Sequence, residues 1–134
     1  MLSNKVVFTI ILARSQLFFG YKLKILESVF YIGDWNHNLA YTIIDILEME
    51  GLRAYPLAEF SYSPFDGKDD RIIFIGNESY FSMFDLNLQE KTPFIKIEDI
   101  DVIKKRSVPN LEITHILNER FEMDHLLSAV SAYL

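Results

Sequence analysis

The sequence predicts a three-layer α/β/α domain built on a five-stranded parallel sheet in the flavodoxin-like order 2-1-3-4-5, with an extra N-terminal helix. Three observations predict it. Apolar runs of strand length alternate with amphipathic runs from residue 28 to residue 134. Two of the apolar runs, Val29-Phe30-Tyr31-Ile32 and Ile72-Ile73-Phe74-Ile75, end in glycine, Gly33 and Gly76. The segment between them carries a polar cap, a helix-like run and a closing Gly51, which together make a βαβ signature. No repeat, low-complexity tract or Pro/Gly-rich linker divides the 134 residues, so one domain is expected, with residues 1–27 as a helical segment and 28–134 as the sheet core.

Taken in order, residues 5–26 are apolar on nearly every helical face, so a helix there must be buried all round or pack on a partner subunit. A strand at 6–12 is the competing reading, and periodicity does not separate the two. Residues 29–32 form the first strand. Asn36 or Asp34 caps the next helix and Gly51 stops it. Leu39, Ile43, Ile46 and Leu47 make its inner stripe, while Thr42, Asp45 and Glu48 face water. Residues 53–57 are a second strand, which Pro56 places at an edge or a strand end. A polar loop over 61–70 precedes the third strand at 71–75. A short helix or turn over 80–86 leads to the fourth strand at 93–97, and a short helix near 99–105 leads to the fifth at 111–117. Asn118 is expected to cap a closing helix with Phe121, Leu127, Val130 and Leu134 on its apolar face.

Composition excludes several functions. The net charge is −6, whereas general nucleic-acid binding needs a surplus of Lys and Arg. The chain has no cysteine, which removes disulfides, thiolate metal sites and cysteine nucleophiles. The longest early apolar run, 6–13, is cut by Arg14 and is too short to span a bilayer. No small-residue cleavage site follows it, so a cytoplasmic protein with no membrane partner is expected. His37, His115 and His125 share no metal-ligand spacing. Asp66, Asp69 and Asp70 lack the spacing and closing Glu of a calcium loop. Lys104-Lys105-Arg106 reads as a solvated helix end. No metal and no cofactor is implied, because the phosphate loop and the dinucleotide glycine fingerprint are both missing. A phosphoacceptor receiver shares the predicted topology but needs an acidic pair after strand one and an Asp after strand three. Here Asp34 stands alone and strand three ends in Gly76.

In open α/β sheets, ligands sit where the strand order reverses, here between the ends of strands one and three. Gly33, Trp35, Asn36, His37 and Asn38 border that point on one side, and Asn77 and Ser79 on the other. Backbone amides at the Gly33 turn can cradle a phosphate, although Asp34 opposes one. Asn36 and Asn38 can donate to sugar hydroxyls, and Trp35 can form a platform for a sugar ring. The same residues also have plain roles: Asn36 as a cap, Trp35 as packing, Ser79 as the cap of the next helix. His37 lies in the first helical turn beside the crevice.

The order of elements, with Glu59-Phe60-Ser61-Tyr62-Ser63-Pro64, the run Ile72-Ile73-Phe74-Ile75 and the ending Leu126-Leu127-Ser128-Ala129-Val130-Ser131-Ala132-Tyr133-Leu134, resembles the sugar isomerase (SIS) domain. The likeness is to the second SIS half of the isomerase domain of glucosamine-6-phosphate synthases and covers about residues 22–134. It implies a phosphorylated sugar as ligand, a homodimer and, if the protein is active, aldose–ketose isomerisation. It places Glu50 where the family's catalytic Glu falls, and Tyr62 and Ser63 where the family has His-Gly in its binding loop. Glu50 is equally a solvated carboxylate in a last helical turn. The chain departs from the family in that loop, in lacking the Ser-x-Ser-Gly-x-Thr phosphate loop and in lacking the catalytic Lys tail. The resemblance therefore implies phosphosugar binding with weak or lost catalysis. The alternative is a degenerate SIS-like domain serving protein–protein contact, with the N-terminal helix in a dimer interface. An acidic partner for a basic protein is a third class, which only the charge favours.

Overall fold

The structure, a computed structural model, describes residues 27–61, 71–98 and 107–134. Five strands form one all-parallel sheet: β1 (Ser28–Gly33), β2 (Arg53–Pro56), β3 (Arg71–Gly76), β4 (Thr92–Ile97) and β5 (Leu111–Leu117). Their order is β2-β1-β3-β4-β5, as the sequence predicts. Three helices are described: α1 (His37–Met49), α2 (Glu78–Phe81) and α3 (Met123–Ser131), with a 3₁₀ turn at Leu57–Glu59. The expected helices at 1–27 and 99–105, and the loop carrying Tyr62 and Ser63, lie outside the described residues.

Both faces of the sheet are covered, which is why the strands read as continuous apolar runs. On the first face, Phe30, Ile32, Ile73, Ile75, Ile95 and Ile97 pack against Ile43 and Leu47 of α1 and Leu126 and Val130 of α3. On the second, Phe74 and Phe94 pack with Leu57, Phe81, Leu86 and Leu88, and Phe60 and Tyr80 lie against them. Each fully buried Ile, Leu or Phe contributes about 1.5–3 kcal/mol of transfer free energy. The two layers together therefore dominate what holds the sheet in place.

Local chemistry sets the ends of the elements. Asn36 Oδ1 accepts from Leu39 N at 3.1 Å and caps α1, and Asp34 Oδ1 accepts from Asn36 N at 2.9 Å. Both residues that the sequence offers as caps thus act, one on the helix and one on the cap. The helix closes through Gly51 N to Glu48 O at 2.9 Å and Leu52 N to Leu47 O at 3.0 Å. This is the two-bond ending that needs a left-handed residue, and Gly51 supplies it at φ 78°. The inner stripe of α1 is Ala40, Ile43, Ile44 and Leu47, with Leu39 and Ile46 half-buried beside it.

Four expected boundaries are corrected. β2 ends at Pro56, and Leu57, expected in the strand, opens the 3₁₀ turn instead. The short helix expected over 80–86 is α2 at Glu78–Phe81, and its cap is Asn77, whose Oδ1 accepts from Tyr80 N at 3.0 Å. Ser79 therefore lies inside that turn and does not cap it. Asn118 does not cap the closing helix: its Oδ1 accepts from Arg120 N in a local turn, and α3 starts only at Met123. There Glu122 and His125 satisfy each other's backbone amides reciprocally. Phe121 and Leu134 flank α3 and still pack on the core.

Candidate functional site

β1 and β3 run in register to their last residues, so Gly33 lies beside Gly76. Asn77 N then donates to Gly33 O at 3.0 Å, tying the two strand ends together. A Cβ on Gly76 would fall 1.7 Å from Gly33 O, and φ at Gly76 is +149°. The tie therefore needs glycine at that position. Gly33 has a different reason: a Cβ there would stand 2.8 Å from the Tyr80 ring and 3.0 Å from the Leu57 side chain.

Tyr80 divides the switch point. Its ring meets Trp35 edge-on at 5.1 Å, His37 at 6.1 Å and Phe84 at 5.2 Å. The second-face side of the crevice is thereby packed with aromatics. The side toward β4 and β5 stays open as a cleft of about 340 Å³, lined by Asp34, Trp35, Asn36, Leu39, Asn77, Ile97, Glu98, Glu119 and Arg120. Two hollows of about 370 and 400 Å³ lie instead against the connection between α2 and β4, and Asp85 is the one ionisable side chain among their described lining residues.

Of the site residues the sequence singles out, the cleft gathers Trp35, Asn36 and Asn77. Gly33 lies under Tyr80, and His37 packs against that ring outside the cleft. Asn38 and Ser79 do not line it. Glu50 follows the last turn of α1, 13 residues along a helix rising about 1.5 Å per residue, so it stands about 20 Å away on the opposite rim of the sheet. Glu98, Glu119 and Arg120 line the cleft without having been singled out. They directly follow β4 and β5, and the rule that ligands sit beyond the carboxyl ends of parallel strands pointed to those positions.

The chemistry of the cleft follows from its side chains. Three carboxylates face one guanidinium among the described lining residues. Two amides of the α1 entry already have side-chain acceptors, Asn36 N on Asp34 and Leu39 N on Asn36. The helix N-terminus is thus less of an anion cradle than its sequence suggests. Asn77 is only 6% exposed and its Oδ1 is committed to Tyr80 N. That commitment fixes the amide's orientation and leaves Nδ2 as a donor. Asn77 lines the cleft, and among the described residues no hydrogen bond from its Nδ2 is found. Trp35, 52% exposed and braced by Tyr80, offers an apolar wall at the mouth.

Neither a family model, nor a curated protein, nor a solved structure matches the chain. The likeness to SIS domains thus rests on the short motifs alone. Among the described residues no group of three or more His, Asp or Glu could hold a metal ion, and no helix is long and apolar enough to cross a membrane.

Proposed function

We propose that this chain binds a sugar or sugar phosphate in the cleft beyond β1, β3, β4 and β5, and that it acts by binding rather than by isomerising. The observation that carries this reading is the pairing of an exposed, braced indole, Trp35, with a rim of mixed donors and acceptors. A pyranose or furanose ring has an apolar face for the indole and hydroxyls that both donate and accept. Asp34, Glu98 and Glu119 supply acceptors, and Asn77 Nδ2 and Arg120 supply donors. A phosphate has one place to go, against Arg120, because the carboxylates repel it elsewhere. Aldose–ketose isomerisation needs a base and an acid at adjacent carbons. The base that the SIS likeness supplies, Glu50, stands on the other rim of the same chain.

A thermal-shift screen with hexoses, pentoses, their phosphates, amino-sugar phosphates and free phosphate tests the reading. A ligand at a hundred times its Kd adds about 2.7 kcal/mol, a rise on the order of 5 °C for a domain of this size. The expected result is such a rise with one sugar class, none with free phosphate, and its loss in Trp35→Ala. No rise with any sugar overturns it. A second reading, as a protein-contact module, is favoured by one specific feature, the exposed isoleucines of β5.

A further inference from the structure

We propose that Tyr80 is the positioning residue of the sugar site: its ring fixes the pose of Trp35, and sugar affinity depends on that ring although Tyr80 does not line the cleft. The inference rests on the proposed sugar reading, which supplies the ligand, and adds the residue that turns Trp35 into a fixed wall.

Trp35 needs such a partner. It lies between the end of β1 and the cap of α1, so no regular element holds it. The side chain is half exposed, and its indole N–H makes no hydrogen bond among the described residues. Tyr80 is the one ring it meets there. The ring planes stand 89° apart, the edge-to-face arrangement that aromatic quadrupoles favour. Without that contact the indole would exchange among staggered rotamers, and a ligand would have to immobilise it on binding.

Tyr80 is itself held by backbone and by ring. Its N donates to Asn77 Oδ1, and its carbonyl accepts from Met83 N at 3.1 Å. The ring packs with Phe84 and His37, and the bare Cα of Gly33 gives it room. α2 has four residues, too few for a helix to be stable alone, so these contacts set where Tyr80 lies. Asn77 and Trp35 both line the cleft, and Tyr80 links them, by its backbone to the first and by its ring to the second. The apolar wall and the amide thus form one unit. The ring alone carries the link to Trp35, because the phenol hydroxyl makes no hydrogen bond among the described residues.

Trp35 is the single tryptophan of the chain, so its fluorescence reports on this ring only. Tyr80→Phe keeps the aromatic ring. Tyr80→Leu and Tyr80→Met remove it but keep an apolar side chain with good helix propensity, and either one decides the test if the other does not fold. In the ligand-free protein, the Leu and Met variants should lower the indole anisotropy and raise its quenching by acrylamide, while Tyr80→Phe matches the wild type. With the sugar that gives the wild type its largest thermal shift, calorimetry should show affinity reduced about fivefold in the Leu and Met variants, within the range of one lost aromatic pair. Tyr80→Phe should bind as the wild type does. A Tyr80 that only stabilised the fold would lower the melting temperature and leave the indole signals and the affinity of the folded variants unchanged. That result overturns the proposal, and so does an equal loss of affinity in Tyr80→Phe. A wild type that binds no sugar overturns the proposed function instead, and the ligand-free fluorescence still decides whether Tyr80 fixes Trp35.

Discussion

At Gly76 a single hydrogen atom in place of a methyl group decides whether the site exists. Any Cβ there overlaps the Gly33 carbonyl, so the Asn77 N to Gly33 O bond and the close approach of the strand ends would be lost together. Gly76→Ala should cost on the order of 3 kcal/mol or more, read as a fall in the urea midpoint. Asn77 can be tested without unfolding the chain. Serine is as good a cap as asparagine, so Asn77→Ser should keep α2 and its stability while deleting the Nδ2 donor. Sugar affinity, measured calorimetrically, should fall about tenfold, the worth of one hydrogen bond of about 1.4 kcal/mol. Unchanged affinity would remove Asn77 from the binding surface.

At the scale of elements, the inner stripe of α1 holds it on the sheet and its two capped ends fix where it starts and stops. Asn36→Ala should lower stability by about 1 kcal/mol, measured by chemical denaturation. What the sequence discloses follows the same physics. β1 and β3 were legible because strands buried on both faces carry unbroken apolar runs ending in glycine. The α1 caps were legible because Asn36 and Gly51 are the residue types those positions demand. The start of α3 was not, because its reciprocal cap uses Glu122 and His125, and the nearer Asn118 spends its side chain on a turn. The candidate site was half legible. Trp35, Asn36 and Asn77 border the switch point that the strand order defines, whereas Glu98, Glu119 and Arg120, beyond the ends of β4 and β5, are not singled out in the sequence. Tyr80 was read as the start of a short helix. Nothing in the sequence says that its ring would cover Gly33 and close half the crevice.

At the scale of the molecule, the cleft lies at the carboxyl rim of the sheet while Glu50 lies at the other. Charge reversal at Arg120 separates the ligand classes. Arg120→Glu should weaken a sugar phosphate about tenfold more than it weakens the parent sugar, since the sugar loses one donor whereas the anion also loses its counter-charge. Equal losses for both would place the phosphate elsewhere.

The walls of the cleft come from Asp34, Asn77, Glu98 and Glu119, residues widely separated along the chain that meet only when four parallel strands are aligned. Such pairings are non-local and form late, because loop closure must precede them. A ligand that bridges these residues therefore has nothing to hold until folding is nearly complete. It should leave the refolding rate unchanged and slow unfolding in proportion to its binding energy. Its concentration would then govern the lifetime of the folded chain rather than the speed at which that chain is made.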